Sequence, residues 1–285
     1  MICELCRAND YRKIYDVDGY TIVECKKCHL RRLNIISTSL REKNNTTVYI
    51  GKERLEHYNK HRYYYKKRYQ QYIDIIQRLL PDKARVLDIG CNVGFFLYHC
   101  KANNIEAEGL EINASCMQEG KKRFNVNISL GDIEHYKGKN LFNMITLFDV
   151  LEHTQNPIKI LQKTHRLLEK KGYVFIQLPN NDSYIANIKK EKWQWLCPGD
   201  HTFFFTKKTI IKALDQTNFK VVSIRTLPST YGYDFNIKDY FNKTPLILKA
   251  KGLARAIIKS GFAILEPIEE YSQKGPLIQV IAQKK

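Results

Sequence analysis

Cys3 and Cys6 form one Cys-x-x-Cys pair, and Cys25 and Cys28 form a second. Thiolates at this spacing share a tight knuckle, and two knuckles complete a tetrahedron around Zn2+. Four sulfurs fill the coordination of the ion, so a structural role is expected. A second group lies far along the chain. Asp149, Glu152 and His153 bring two carboxylates and an imidazole into one short run. His153 titrates near neutrality and suits work as a general base; its structural alternative is capping or packing. A third group joins Trp193, Trp195, Asp200 and His201. Aromatic faces beside polar groups suit a sugar or aromatic acceptor, stacking one face and orienting hydroxyls. His201 is thus a rival base, and packing of a lid onto the core is the alternative for the tryptophans. Cys91, Cys100, Cys116 and Cys197 show no ligand spacing.

The elements that must position these groups read as strands and helices in alternation. Residues 85–89 (RVLDI) have strand length and run into Gly90-Cys91-Asn92-Val93-Gly94, then a helical run from Phe95. Strand, glycine turn and helix make the first unit of a doubly wound sheet. The loop is neither Gly-x-Gly-x-x-Gly nor a P-loop, which argues against a nucleoside triphosphate. A second strand, 106–112, ends in Glu111, placed to accept both hydroxyls of a ribose. A third, 126–130, leads into Asp132 and Ile133, where an Asp can bond an adenine amino group and an Ile can pack the ring. A fourth, 142–148, delivers the Asp149–His153 run, and Pro157 opens a helix to about residue 170. Further strands fall at 173–178, 219–225 and 277–282, with a helix at 209–217.

As a set, VLDIGCNVG, GLEIN, GDIEHY and ITLFDVLEH resemble the successive motifs of class I S-adenosylmethionine-dependent methyltransferases over about residues 81–225. The cysteine pairs, the Tyr-rich connector and Trp193 with 201–206 resemble one bacterial subgroup acting on small molecules or glycan intermediates. The resemblance implies that Asp88, Gly90, Cys91 and Gly94 line the methionine end of the cofactor. Glu111 with Ile112 would hold the ribose, Asp132 and Ile133 the adenine, and Phe148 and Asp149 the region of the sulfonium. The Asp149/Glu152/His153 run is similar to the Glu-x-x-Glu-His segment of ubiquinone-pathway O-methyltransferases, which binds a divalent cation. A second, catalytic cation is therefore an expectation here, with Asp in place of the first Glu shortening the reach.

The expected fold is α/β: a Rossmann-like seven-stranded class I methyltransferase sheet with a small N-terminal zinc ribbon. Residues 1–35 form the ribbon and 36–80 a linker and a Tyr-rich basic helix. Residues 81–285 form the catalytic domain, with inserts at 181–208 and 236–275. Residues 31–56 read as weakly patterned. From His57 onward, Tyr58, Tyr65, Tyr69, Tyr72, Ile76 and Leu79 recur at helical spacing, docking on a core or covering a ligand. Leu253, Ile257, Ile258 and Leu265 share a helical face opposite Lys251, Arg255 and Lys259, fit for an anionic membrane, the sheet or a dimer.

Residues 1–80 and 181–285 each carry 17 basic and 9 acidic side chains, while the net formal charge of the chain is +18. Basic flanks suit phosphates, so an RNA methyltransferase is the first rival to O-methylation of a small molecule or sugar. Against it, strand four lacks the Asn-Pro-Pro-Tyr type of tetrapeptide. A non-catalytic cofactor-binding interaction module is the second rival. The charged, cysteine-bearing N-terminus is unlike a signal peptide, and no apolar run approaches a span. A cytoplasmic enzyme, with peripheral contact to the inner face of the membrane as an option, is expected. Its partner is a small-molecule or glycan acceptor.

Overall fold

The computed structural model describes residues 1–34, 51–81, 84–138, 141–228, 267–269 and 271–285. At the N-terminus, β1 (Tyr11–Val17) and β2 (Tyr20–Cys25) make an antiparallel hairpin. Asp18 and Gly19 at its tip have φ of 50° and 81°. Positive φ at both positions matches a two-residue turn to the right-handed twist of its strands. Then β3 (Arg31–Leu33) pairs with β2.

Two helices follow, α1 (Gly51–Lys60) and α2 (Arg62–Leu79). The expected start at His57 is thus too late. Gly51 packs so closely on a later helix that a Cβ there would lie 2.5 Å from the Ser115 carbonyl oxygen. This tertiary contact leaves no helical period in the sequence. The weakly patterned 31–56 segment likewise begins as β3 and ends as α1, while 35–50 lie outside the described residues. Tyr65, Tyr69, Tyr72, Ile73 and Ile76 bury one face of α2 against Val86, Phe95, Phe96, Met144 and Phe175. The stripe is a docked face, as its spacing allows.

The large sheet uses β4 (Arg85–Ile89), β5 (Glu106–Glu111), β6 (Asn127–Leu130), β7 (Phe142–Phe148), β8 (Leu168–Pro179), β10 (Phe219–Leu227) and β11 (Leu277–Lys284). Its order is β10-β11-β8-β7-β4-β5-β6. The run β8-β7-β4-β5-β6 is parallel, and β11 is antiparallel to both of its neighbours. Residues such as Ile145, Leu147, Val174 and Ile176 are fully buried, as befits a parallel sheet covered on both faces. The intervening helices α3 (Phe95–Ala102), α4 (Ala114–Phe124), α5 (Pro157–Leu167) and α7 (Lys207–Gln216) start at clear signals. Asn113, Asn156 and Thr206 each accept the backbone N–H three residues on.

Between β8 and α7 lie α6 (Tyr184–Lys189) and β9 (Phe203–Phe204). The two-residue β9 adds to the N-terminal sheet, giving the order β1-β2-β3-β9. Cys3, Leu5, Cys25, Cys28 and Leu30 are buried in one continuous core with Leu151, Phe203 and Phe205. The ribbon therefore shares both a sheet and a core with the catalytic domain. A two-residue strand carries no period, so sequence could not announce this. Most of the 236–275 insert, with the amphipathic helix expected around Leu253 to Leu265, lies outside the described residues. No helix of the described residues is long and apolar enough to cross a membrane.

Candidate active site and cysteine cluster

The carboxyl ends of β4, β5 and β7 open on one cavity of about 470 Å³, roofed by α1 and α2. The loop after β4 begins with Gly90 at φ 71°, where a Cβ would lie 2.7 Å from a Val150 methyl. Only glycine serves at such a position. Glu111 at the tip of β5 is 7% exposed. Its Oε2 accepts the Asn92 N–H (2.7 Å) and its Oε1 the Asn113 N–H (2.8 Å). Burial raises its pKa, and these backbone N–H groups oppose the rise. Each oxygen keeps a lone pair for a vicinal diol. Asp88, at the end of β4, accepts a 2.6 Å bond from the Thr146 hydroxyl. Burial pushes its pKa up to about 7, Thr146 works against that, and Glu111 adds to it. An ammonium group in the cavity would restore its charge. Gly90, Cys91 and Ile112 line the same cavity, as does Phe148.

Three of the expected residues lie elsewhere. Gly94 caps α3 with φ 71° and backs onto Val126 and Ile128. Ile133 is 2% exposed and packs in the core. Asp132 turns back on its own loop, accepting the His135 N–H at 2.9 Å and meeting its ring at 2.8 Å. Neither Asp132 nor Ile133 lines the cavity.

Asp149 lines the cavity beside Phe148, but it departs from the expected cation site. Arg68 of α2 donates to its Oδ2 at 3.1 Å, and Gln177 of β8 donates to its Oδ1 at 3.1 Å. Arg68, 5% exposed, also donates to the Tyr72 hydroxyl at 2.7 Å, and that hydroxyl donates to Gln177. The carboxylate is committed to this network. It does not join Glu152 and His153 as a cation ligand. The cluster that could hold an ion is Glu152, His153 and His201, whose ligand atoms all lie within 4.8 Å of one another. Arg68 was hidden in the sequence among outward-facing basic residues. Its place three residues after Tyr65 and four before Tyr72 on one helical stripe was the available signal.

The two histidines are held differently. His153 follows from the 3₁₀ turn Leu151–His153. Its Nδ1–H donates to the Asp200 carbonyl at 3.1 Å and lies 3.4 Å from Asp200 Oδ1. Burial pulls its pKa down, but the Asp200 bond and the charge of Glu152 outweigh burial and raise it to about 9. His201 donates Nδ1–H to the Trp195 carbonyl at 2.9 Å, which fixes its tautomer and leaves Nε2 as an acceptor. Burial, then the neighbouring His153 charge, lower its pKa to about 4. The rings stand 4.6 Å apart. Glu152 is 2% exposed, and neither carboxyl oxygen has a hydrogen-bond partner. Burial raises it to about 8, against the pull of His153. Trp195 lines the cavity, whereas Trp193 is buried against Ile22, Leu33 and Phe204.

In the N-terminal module the four cysteine sulfurs lie within 4.8 Å of one another. Cys3–Cys28 and Cys6–Cys25 are each 3.4 Å apart. A tetrahedron with Zn–S bonds of about 2.3 Å needs sulfurs about 3.8 Å apart, so small outward shifts admit the ion. The Cys28 S–H bond lowers the Cys3 pKa to about 4, while Cys3 pushes Cys28 upward. Such crowding of thiols is relieved by a dication.

A family model described as methyltransferase domain matches residues 61–224. An uncharacterized protein of Methanocaldococcus jannaschii is 29% identical over 153 residues, 53% of this chain and 72% of that protein. The ubiquinone biosynthesis O-methyltransferase of Vibrio vulnificus is 24% identical over 148 residues, 47% of this chain. The chain spans only 63% of that enzyme's length. Among solved structures, a SAM-dependent methyltransferase of Thermotoga maritima superposes with a TM-score of 0.53 at 17% identity. That match covers 83% of this chain and 98% of the other, and bears on the fold alone.

Proposed function

The chain belongs to the methyltransferase-domain family and is an S-adenosylmethionine-dependent methyltransferase, and from that premise we propose that it methylates a hydroxyl of a small molecule or sugar intermediate. In that cavity Glu111 would hold the cofactor ribose, Asp88 would meet its ammonium, and Phe148 would lie beside its sulfonium. The acceptor occupies the part of the cavity bounded by Glu152, His153, Trp195 and His201. One observation carries the reading: a neutral, tautomer-fixed His201 whose Nε2 is an open acceptor in the same cavity as Glu111 and Asp88.

The acceptor oxygen attacks the methyl carbon in line with the departing sulfur, from about 3 Å. The bound cofactor would supply an electrophilic methyl and leave as a neutral thioether as a C–O bond replaces the C–S bond, and His201 Nε2 is placed to take the hydroxyl proton. His153 is raised to about 9 and so is protonated at neutral pH. It serves as a charged orienting group, and the base role that its intrinsic pKa suggested passes to His201.

A second reading draws on the unpartnered Glu152 oxygens: Glu152, His153 and His201 would hold a divalent cation through one carboxylate and two imidazoles. A cation there would lower the pKa of a bound hydroxyl. The cysteine cluster takes structural zinc in both readings. None of the eight cysteines is joined in a disulfide. The test is calorimetric titration with S-adenosylhomocysteine, followed by an acceptor screen beginning with nucleotide sugars, with and without added divalent cation. Micromolar binding with no hydroxylated acceptor methylated, and transfer to nitrogen or RNA instead, would overturn the acceptor assignment.

A further inference from the structure

We infer that the cysteine module is the support that aligns the acceptor-side histidines: through β3 and β9 it sets where His201 stands relative to Glu152. The inference rests on the proposed use of His201 and adds the part of the chain that places it. The connection is a short series of backbone bonds. In the pairing of β3 with β9, Arg31 stands opposite Phe204 and Arg32 opposite Phe203. The Leu33 N–H donates to the Thr202 carbonyl at 3.0 Å. The Thr202 N–H donates to the Glu152 carbonyl at 2.7 Å. Thr202 is 2% exposed, so neither bond exchanges freely with water. This one residue joins the ribbon on one side and the Leu151–His153 turn on the other, and His201 immediately precedes it.

Arg32 couples this series to the metal knuckle. Its guanidinium pairs with Glu4, which lies between Cys3 and Cys6. The same group stacks over the Phe203 ring at 5.3 Å. Arg32 is 5% exposed, which makes the pair expensive to leave broken. The first knuckle, β3 and β9 therefore move as one body. Glu111 and Asp88 stand outside this body, on β5 and β4 of the large sheet. Loss of the metal should loosen the acceptor side and spare the cofactor side.

The experiment uses the full chain, zinc-loaded and then stripped with a chelator, beside the variants Arg32→Ala and Arg32→Lys. Amide exchange is followed at Leu33 and Thr202, and imidazole nitrogen resonances report the His201 tautomer. S-adenosylhomocysteine serves as the cofactor-side probe. On stripping, Thr202 exchange should rise about tenfold or more. The Nδ1–H signature of His201 should give way to a tautomer mixture, with homocysteine-derivative affinity held within about threefold. Arg32→Ala should do the same while keeping its metal, and Arg32→Lys should restore part of the signature, which a purely structural residue would not require. Unchanged Thr202 exchange and an unchanged His201 spectrum in the stripped protein would overturn the inference. So would exchange rising throughout the chain together with loss of affinity, because the cysteines would then hold the whole fold. If Thr202 loosens as expected but His201→Ala still transfers methyl groups at the native rate, the coupling stands and the base assignment fails.

Discussion

The two halves of the cavity are built by different means. The half proposed for the cofactor comes from consecutive pieces: β4, its glycine loop and β5 lie within residues 85–111. Glu111 is fixed by groups within or just beyond this stretch, accepting the N–H of Asn92 and of Asn113, while Asp88 takes its one long-range bond from Thr146 of β7. The half proposed for the acceptor draws on distant segments. Arg68 reaches Asp149, Thr202 reaches Glu152, and β3 reaches β9. Local construction tolerates change elsewhere in the chain, whereas long-range construction makes the chemistry depend on how several pieces dock.

The sharpest way to separate the halves is to remove one group from each. His201→Ala should lower turnover about a hundredfold to a thousandfold, the range of a lost general base, with cofactor affinity nearly unchanged. His153→Ala should cost less, since a charged orienting group is lost but the acceptor of the proton is kept. Equal or reversed losses in single-turnover assays would return the base role to His153. Glu111→Ala should weaken S-adenosylhomocysteine binding about a hundredfold, the worth of two charge-assisted hydrogen bonds. Calorimetry checks it, and intact affinity would remove the ribose site.

Titration offers a smaller contrast. The His201 pKa is depressed in the folded state, so the native protein holds it neutral while the unfolded chain binds a proton below about 6.5. Stability from this group is therefore present above pH 6.5 and lost as pH falls toward about 4. His153 is raised, so its contribution is complete below pH 6.5 and lost as pH climbs through about 9. Denaturant melts across pH 4–9 should show both flanks in the native chain. The acid flank should flatten in His201→Gln and the alkaline flank in His153→Gln. The smallest effect belongs to Asp132→Ala, which should change S-adenosylhomocysteine affinity by less than about threefold because the carboxylate serves its own turn with His135. A larger loss would bring the third strand tip into the cofactor site.

The same division explains what the sequence could tell. Strand, glycine turn, helix and acidic tip follow one another in the chain, so the sheet and Glu111 were readable from spacing alone. The cysteine pairs were readable because metal geometry demands their spacing. The cation reading grouped Asp149 with its sequence neighbours Glu152 and His153, while its neighbours in space are Arg68 and Gln177. The order of the two histidines as bases was hidden for a related reason. Both rings share one intrinsic pKa near neutrality, and their partners, Asp200 and the Trp195 carbonyl, are what set them apart. The bond from the His135 N–H to Asp132 was not readable from the end of its strand, because a local turn competes there for the carboxylate.

Strand β9 also bears on how the protein is made. A chain emerging from a ribosome has produced Cys3, Cys6, Cys25 and Cys28 long before Phe203 and Phe204 exist. The nascent ribbon can gather its cysteines early, yet its sheet keeps an open edge at β3 until nearly three-quarters of the chain is synthesised. An unpaired edge is a template for wrong partners. Synthesis past residue 204 is thus the moment at which the N-terminal module is sealed and the acceptor-side turn acquires its backbone support.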